Sequence, residues 1–425
     1  MASSAPINAA PRGAAPASAA KGSLHPAGTP WGLTAGLLLA DMFGIGALSL
    51  PSVFARLGWL VSFVLLLLFG LGCGYLGVLF SKLAVALPGA ATMDEIGAAA
   101  LGTTGRRLVY AVVYTTILVD PIALHITCML ALQQVFPGLG MVAASGVIAL
   151  LMLPLAQIQN LHDVGWMSLA ATGFMIFAVF ATLMKLLAMP GDQLALTSLL
   201  PPVETRAIEG LIAALNLSFA FGGQVNWMRY VSGMVHREEF RFAAEVADGL
   251  MSVFYVLLGV TAYSKLGPRF DHSKPITSVL PPGLVSHAIN VALLARCLVA
   301  YCLNSNVFTD LAMRVGRPWL SRLEDACPRL GRKASWGLLS CLCITMSALV
   351  AAAVPKFDLA VAMIAAVGDV AAPYTLPALF GLVLLPGIHL WEKALLKLLV
   401  PVSLLLSAFG LYASGYALVE SLLRG

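Results

Sequence analysis

Phe43-Gly44-Ile45-Gly46-Ala47-Leu48-Ser49-Leu50-Pro51 and Ser218-Phe219-Ala220-Phe221-Gly222-Gly223-Gln224 interrupt two otherwise apolar stretches of the chain. Paired glycines lower the cost of leaving helical geometry, and Pro51 removes a further backbone donor. Lipid cannot satisfy the N–H and C=O groups that an unwound helix frees. Such a break is tolerated only around a ligand, ions or water. Glycine is also an ordinary packing residue in membrane helices, so one break alone carries little. Two breaks at comparable depth, in corresponding positions of two halves, point to a transporter site at the membrane centre. The polar residues Asp41, Gln224 and Asn226 beside them strengthen that reading.

Working outward, apolar runs cover 31–55, 59–81, 107–135, 141–158, 165–188, 207–230, 242–265, 284–312, 335–354, 359–385 and 395–419. Each is long enough to cross a hydrocarbon core of about 30 Å at about 1.5 Å per residue, or nearly so. The expected fold is an all-α polytopic membrane protein of eleven transmembrane helices, with helices one and six broken. Composition agrees: of 425 residues, 60% are hydrophobic and 11% charged, against about 25% charged in an average soluble protein. A soluble enzyme, a nucleic-acid binder and a disordered protein are excluded on that ground. Residues 1–30, rich in Ala, Pro, Ser and Gly, read as a disordered tail, and 31–422 as one transmembrane domain. Thr92-Met93-Asp94-Glu95 has capping-box spacing, so a short interfacial helix is expected over 92–104. With the N-terminus in the cytoplasm, about two-thirds of the 25 Lys and Arg fall on the cytoplasmic side, the bias that sets orientation. The lipid bilayer housing it is a plasma membrane or an endomembrane.

Charges inside the spans are functional candidates because lipid penalises them. Asp41 lies ten residues past Trp31, hence about 15 Å deep. Asp120 sits mid-span three, before Pro121. Arg296 is mid-span eight and Asp369 mid-span ten. Asp120 and Arg296 suit either a structural ion pair or a transport role; Asp369 suits a gate or a cap on the Ala371-Ala372-Pro373 break. His125 reads as a hydrogen-bonded packing residue, and Asp310, Glu245 and Asp248 as solvated near span ends. No catalytic motif, P-loop, dinucleotide loop or metal-ligand pattern is present. No enzyme activity, cofactor or metal is expected. The seven cysteines read as small hydrophobes.

Gly44-Ile45-Gly46-Ala47-Leu48-Ser49-Leu50-Pro51 followed by Gly58-Trp59 resembles the first helix of the amino acid/auxin permease family, within the amino acid–polyamine–organocation superfamily. Asp94-Glu95-Ile96-Gly97 with Gly102 is similar to that family's interhelical segment. Ser218 to Gln224 resembles its broken sixth helix, Tyr255…Gly259…Tyr263…Gly267 its seventh, and Gly368 with Leu376-Pro377-Ala378-Leu379 its tenth. The resemblance covers residues 31–420 in order. It departs at Asp41, where many relatives carry Asn or a small residue, and in span eight, which lacks a proline.

The resemblance implies a leucine-transporter-like five-plus-five inverted repeat plus an eleventh helix. Spans 1, 2, 6 and 7 would form a mobile bundle, and spans 3–5 and 8–10 a scaffold. It implies secondary active transport of amino acids or related small amines by alternating access. Backbone N–H groups at Gly44, Ile45 and Gly46 would take the substrate carboxylate, since half-helix N-termini favour anions. Phe221, Gly222 and Gly223, beside Gln224, would offer carbonyls and space to the amino group, with Phe43 and Phe221 as gates. Asp41 leads as proton carrier, with Asp120 second, because a carboxylate at mid-membrane loses solvation and the neutral form is favoured. Sodium is the alternative coupling ion, on Asn304, Ser305, Asn306 and Thr309. A non-transporting amino-acid sensor of the same fold is the alternative function.

Overall fold

The computed structural model describes residues 28–158, 161–191, 193–316 and 331–424. Among these residues the chain is helical, and β-pairing is limited to one isolated bridge between Thr29 and Met234. Among the described residues, nine helical stretches are long and apolar enough to cross a membrane, and Trp31–Met42 and Met141–Leu155 are shorter apolar helices. One of the nine, Ile45–Ala86, has 42 residues, about 63 Å of helix and twice a hydrocarbon core. It turns at Gly58, whose φ of 71° and ψ of 179° end one helix and start another. Only glycine adopts that conformation without strain. The amides beyond the turn are satisfied from elsewhere: Trp59 and Leu60 donate to the carbonyls of Ser198 (3.1 Å) and Leu199 (2.9 Å). Trp31–Met42 and the stretch from Ile45 to Leu57 therefore form a broken span one, and 59–86 is span two. Eleven crossings result, as the sequence predicts.

Spans three to five follow as Met93–Val135, Met141–Leu155 and Leu161–Ala188. Ala207–Ala220 and Trp227–Ser232 are the halves of span six, Phe240–Leu266 is span seven and Leu284–Val315 span eight. Gly331–Ala353, 357–384 and Leu390–Arg424 complete the set. The packing carries an internal two-fold. Span two lies along seven and three along eight; five lies along eight as ten lies along three; three meets four and nine, and eight meets nine and four. Exchanging one with six, two with seven, and so on to five with ten leaves these neighbours unchanged. That is a five-plus-five inverted repeat, with span eleven outside it.

Gly102, at φ 63°, separates a short helix from span three proper. This is the helix expected over 92–104. Glu95 Oε2 accepts from the amides of Ala91 (2.7 Å) and Thr92 (3.2 Å) at its start. Of the expected tail, residues 1–27 lie outside the described residues. Thr29 belongs to the folded unit: its N–H donates to the Gly233 carbonyl (2.9 Å), and its carbonyl accepts from Val235 N–H (3.2 Å). Arg317, Arg322 and Arg329, which contribute to the charge bias, also lie outside the described residues.

Candidate substrate and proton site at the paired helix breaks

The first half of span one closes when Phe43 N–H donates to the Leu39 carbonyl (2.9 Å). Gly44 is extended (φ −120°, ψ −164°) and a 3₁₀ turn runs over Ile45–Ser49. Its first bond goes from Ala47 N–H back to Gly44 (3.3 Å). The amides of Gly44, Ile45 and Gly46 thus stand at the N-terminus of the second half-helix, where no intrahelical acceptor precedes them. Ser49 Oγ donates to the Gly46 carbonyl at 2.7 Å and braces the turn.

Span six breaks at the same level. Ala207–Ala220 ends, Gly223 takes φ 118°, and a 3₁₀ turn over Gln224–Asn226 leads into the second half. The two breaks touch. A Cβ on Gly46 would stand 2.6 Å from Ala220 Cα, and Gly223 rests on Met42. Of the three carbonyls expected to serve an amino group, that of Phe221 accepts from Gln224 Nε2 and that of Gly223 from Asn226 N–H. The Gly222 carbonyl makes neither bond. Asp369 packs against Gly222 from span ten: a Cβ on Gly222 would stand 2.7 Å from Asp369 Oδ1. Span ten widens there into π-turns over Ala365–Asp369 and Ala371–Thr375, which is where Asp369 and Tyr374 are presented. Ser218 Oγ donates to the Asp369 carbonyl (3.2 Å) and ties six to ten.

An aromatic shell surrounds the breaks. Phe43 stacks on Tyr255 (centroids 6.3 Å apart), Phe221 meets Tyr255 edge-on (5.2 Å), and Phe69 stacks on Phe221 (6.5 Å). Tyr255 also donates its hydroxyl to the Ala220 carbonyl at 2.6 Å, the end of the first half of span six. Phe43 and Phe221 are therefore packed members of this shell as well as neighbours of the breaks. Sequence reading registered Tyr255 only as part of a spacing motif and missed Phe69 and Tyr374, because nothing in their own segments shows that spans two, seven and ten meet here.

The charges divide differently from the expected pairing. Asp41 Oδ2 accepts from Asn226 Nδ2 at 3.2 Å, so the carboxylate of span one is bonded to the break of span six. Tyr230, Arg229 and Arg296 also act on Asp41. Arg296 makes no salt bridge with Asp120; Arg296 lies within Coulombic range of Asp41, and Asp120 within range of Asp369. His125 is a buried link, with Nε2 2.9 Å from Ser145 Oγ and Nδ1 3.2 Å from Tyr301 Oη, as its packing reading requires. Asp248 corrects the sequence reading. It is buried at 8% exposure, not solvated, because span seven turns that face into span two. Among the described residues, no cluster of three or more His, Cys, Asp or Glu could hold a metal ion.

Arg56 and Asp358 tie span one to span ten at the end remote from Thr29, with Nη2 and Oδ2 2.7 Å apart and both side chains largely buried. The sequence places Arg56 between spans one and two and gives no sign of Asp358 as its partner, since 302 residues separate them. His272, in the loop after span seven, lies within the field of Arg56. Burial, and then Arg56, push its pKa down from 6.5 to about 4. This arrangement therefore favours neutral His272, and any opening of this end is expected to return it to solvent. From pH about 6.5 down to about 4, protons favour the open form; above that window this group adds no pH dependence. The closed fraction, read from labelling of a cysteine placed beside Asp358, is expected to fall across that window. His272→Gln should flatten that limb.

Touching helix breaks, a closed latch and two interlocked five-helix repeats define a polytopic membrane transporter. The chain belongs to the family described as transmembrane amino acid transporter protein, whose model matches residues 27–419. Amino acid transporter AVT1H of Arabidopsis thaliana is similar at 24% identity, over 91% of this chain and 89% of that protein. Amino acid transporter ANT1 of the same plant is similar at 22% identity, over 89% and 90%. Among solved structures, MhsT in complex with L-phenylalanine has a TM-score of 0.48 at 14% identity, covering 90% of this chain and 98% of that one. A manganese transporter variant of Eremococcus coleocola gives 0.49 at 16% identity, over 93% and 89%. The relatives are transporters and not enzymes.

Proposed function

We propose that this chain is a proton-coupled secondary transporter of amino acids that works by alternating access, with its N-terminus in the cytoplasm. The observation that carries the reading is the contact between the two breaks. In this reading the amides of Gly44, Ile45 and Gly46 and the carbonyl of Gly222 serve one substrate where Gly46 meets Ala220. An amino acid has a carboxylate for the first set and an ammonium for the second. Asp369 adds a carboxylate on the ammonium side, and Phe43, Phe221 and Tyr255 enclose the side chain.

Asp41 is the proton carrier in this reading. Its bond to Asn226 links its charge state to the break of span six. Arg296 places a resident positive charge in its field, which works against a second fixed cation there. The oxygens that a sodium site would draw from span eight begin at Asn304, eight residues or about 12 Å beyond Arg296. There Asn306 Nδ2 donates to the Ile158 carbonyl (2.7 Å) and Thr309 Oγ1 to that of Ser305 (2.7 Å), while Asn306 Oδ1 accepts no hydrogen bond.

The test is uptake into proteoliposomes across an imposed pH gradient with sodium absent, for a panel of labelled amino acids. Wild type is expected to concentrate substrate when the outside is acid. Asp41→Asn should lose concentrative uptake while exchange persists. Strict sodium dependence, or full gradient-driven uptake in Asp41→Asn, overturns the assignment.

A further inference from the structure

Asp248, Gln224 and Tyr374 are each more than nine-tenths buried. Asp248 Oδ1, Gln224 Oε1 and the Tyr374 hydroxyl all lack a hydrogen-bond partner. They come from spans seven, six and ten and lie around one residue of span two, Cys73. Gln224 Nε2 reaches Cys73 Sγ at 3.3 Å and also donates to the Phe221 carbonyl, which turns its oxygen away as an acceptor. Cys73 is hydrogen-bonded to Asp248 in turn. The chain of contacts therefore runs from Asp248 to the break of span six.

Asp248 also lines an open groove between spans two and seven, together with Gly70, Gly74, Tyr75, Glu245 and Ser252 and the apolar Leu66, Leu67, Leu71 and Val78. The glycines leave the wall of span two open: the sites of their absent Cβ atoms lie 3.9 and 3.8 Å from Asp248 Oδ2. Glu245, three residues earlier on the same helix face, is exposed at the rim. The titratable groups facing Asp248 are Cys73 and Tyr75 from span two, Tyr374 from span ten, and Glu245 and Tyr255 on its own helix. Span six contributes the neutral Gln224. Arg241, two turns away on span seven, lies over the Phe242 ring at 4.5 Å. Asp248 Oδ1 lacks a hydrogen-bond partner, and protonating the carboxylate turns an unpaired buried acceptor into a carboxyl O–H that can donate.

We infer that Asp248 is a second proton-binding site, linked to the break of span six through Cys73 and Gln224 and to the exposed Glu245 at the rim of the groove between spans two and seven. Glu245 takes up a proton at the rim, gives it to the Asp248 carboxylate and returns to its charged form. The part this site plays in transport rests on the proton-coupled reading above, but its titration does not.

Infrared difference spectra of the purified full chain in lipid, between mildly alkaline and mildly acid pH, test the titration directly. Wild type is expected to gain a protonated-carboxyl band that Asp248→Asn lacks, that Asp248→Glu retains at a shifted position, and that Asp41→Asn leaves in place. Glu245→Gln should slow proton exchange and keep the band. In the same liposomes, Asp248→Asn should lower the number of protons moved per substrate while substrate exchange persists. An unchanged spectrum in Asp248→Asn overturns the site, as does a band that responds to sodium at fixed pH. If the band is lost in Asp248→Asn but wild type shows no acid-driven uptake, the site stands and the proton-coupled reading falls. If wild type is acid-driven and Asp248→Asn matches it in both spectrum and stoichiometry, this inference alone falls.

Discussion

Gly46→Leu is expected to abolish amino-acid uptake while the protein still reaches the membrane. The first added carbon already meets Ala220 Cα at 2.6 Å and its amide nitrogen at 3.0 Å. These are backbone atoms at the end of a half-helix, and they cannot swing aside as a side-chain tip can. Overpacking of this kind costs about 1–3 kcal/mol where neighbours can adjust. Here the relief is to drive the two breaks apart, which separates the amides of span one from the Gly222 carbonyl. With about 1.4 kcal/mol per factor of ten, uptake should drop at least about tenfold, and Gly46→Ala should fall between wild type and leucine. Gly89→Ala is the control, since a Cβ there meets no atom within 4 Å. Uptake normalised to the amount of protein in the membrane checks the series. Normal transport by Gly46→Leu would remove the basis for placing the substrate at the breaks.

Asp358→Asn is expected to release the latch between spans one and ten. Arg56 and Asp358 are only 12% and 6% exposed in their side chains. Removing one member of a buried pair leaves the other charge uncompensated, at about 3–5 kcal/mol. An effect of that size moves a closed-to-open equilibrium by more than about a hundredfold. The cost falls on the closed form alone, because opening returns Arg56 to water. A cysteine placed beside position 358 should therefore become reactive to a membrane-impermeant reagent, and uptake should slow because closure fails. Exchanging the two charges, Arg56→Asp with Asp358→Arg, should restore part of both. Unaltered labelling and uptake in Asp358→Asn would show that this bridge does not hold the end shut.

The sequence carries the elements of this protein well. The apolar runs set the number and order of crossings, because length and hydropathy suffice for that. Gly44-Ile45-Gly46 and Phe221-Gly222-Gly223 mark the breaks, because glycine pairs in lipid have few other uses than packing or unwinding. The interfacial helix is readable from Thr92 and Glu95, whose capping is local. Boundaries were less exact: Thr29 falls in the expected tail yet is paired with the end of span six.

What the sequence by itself determined is therefore everything that depends on neighbours along the chain: helices, breaks, caps and the burial of Asp41, Asp120, Arg296 and Asp369 in the membrane. Only the tertiary structure decided which of these charges meet. It left Arg296 and Asp120 without a salt bridge to each other, and set Asp369 against Gly222. It joined Arg56 to Asp358 across 302 residues and turned Asp248 inward against Cys73. The physical reason is that hydropathy fixes depth in a membrane but not the rotation of a helix about its axis. Rotation is settled by close packing between helices distant in sequence, and it selects the partner of every buried charge.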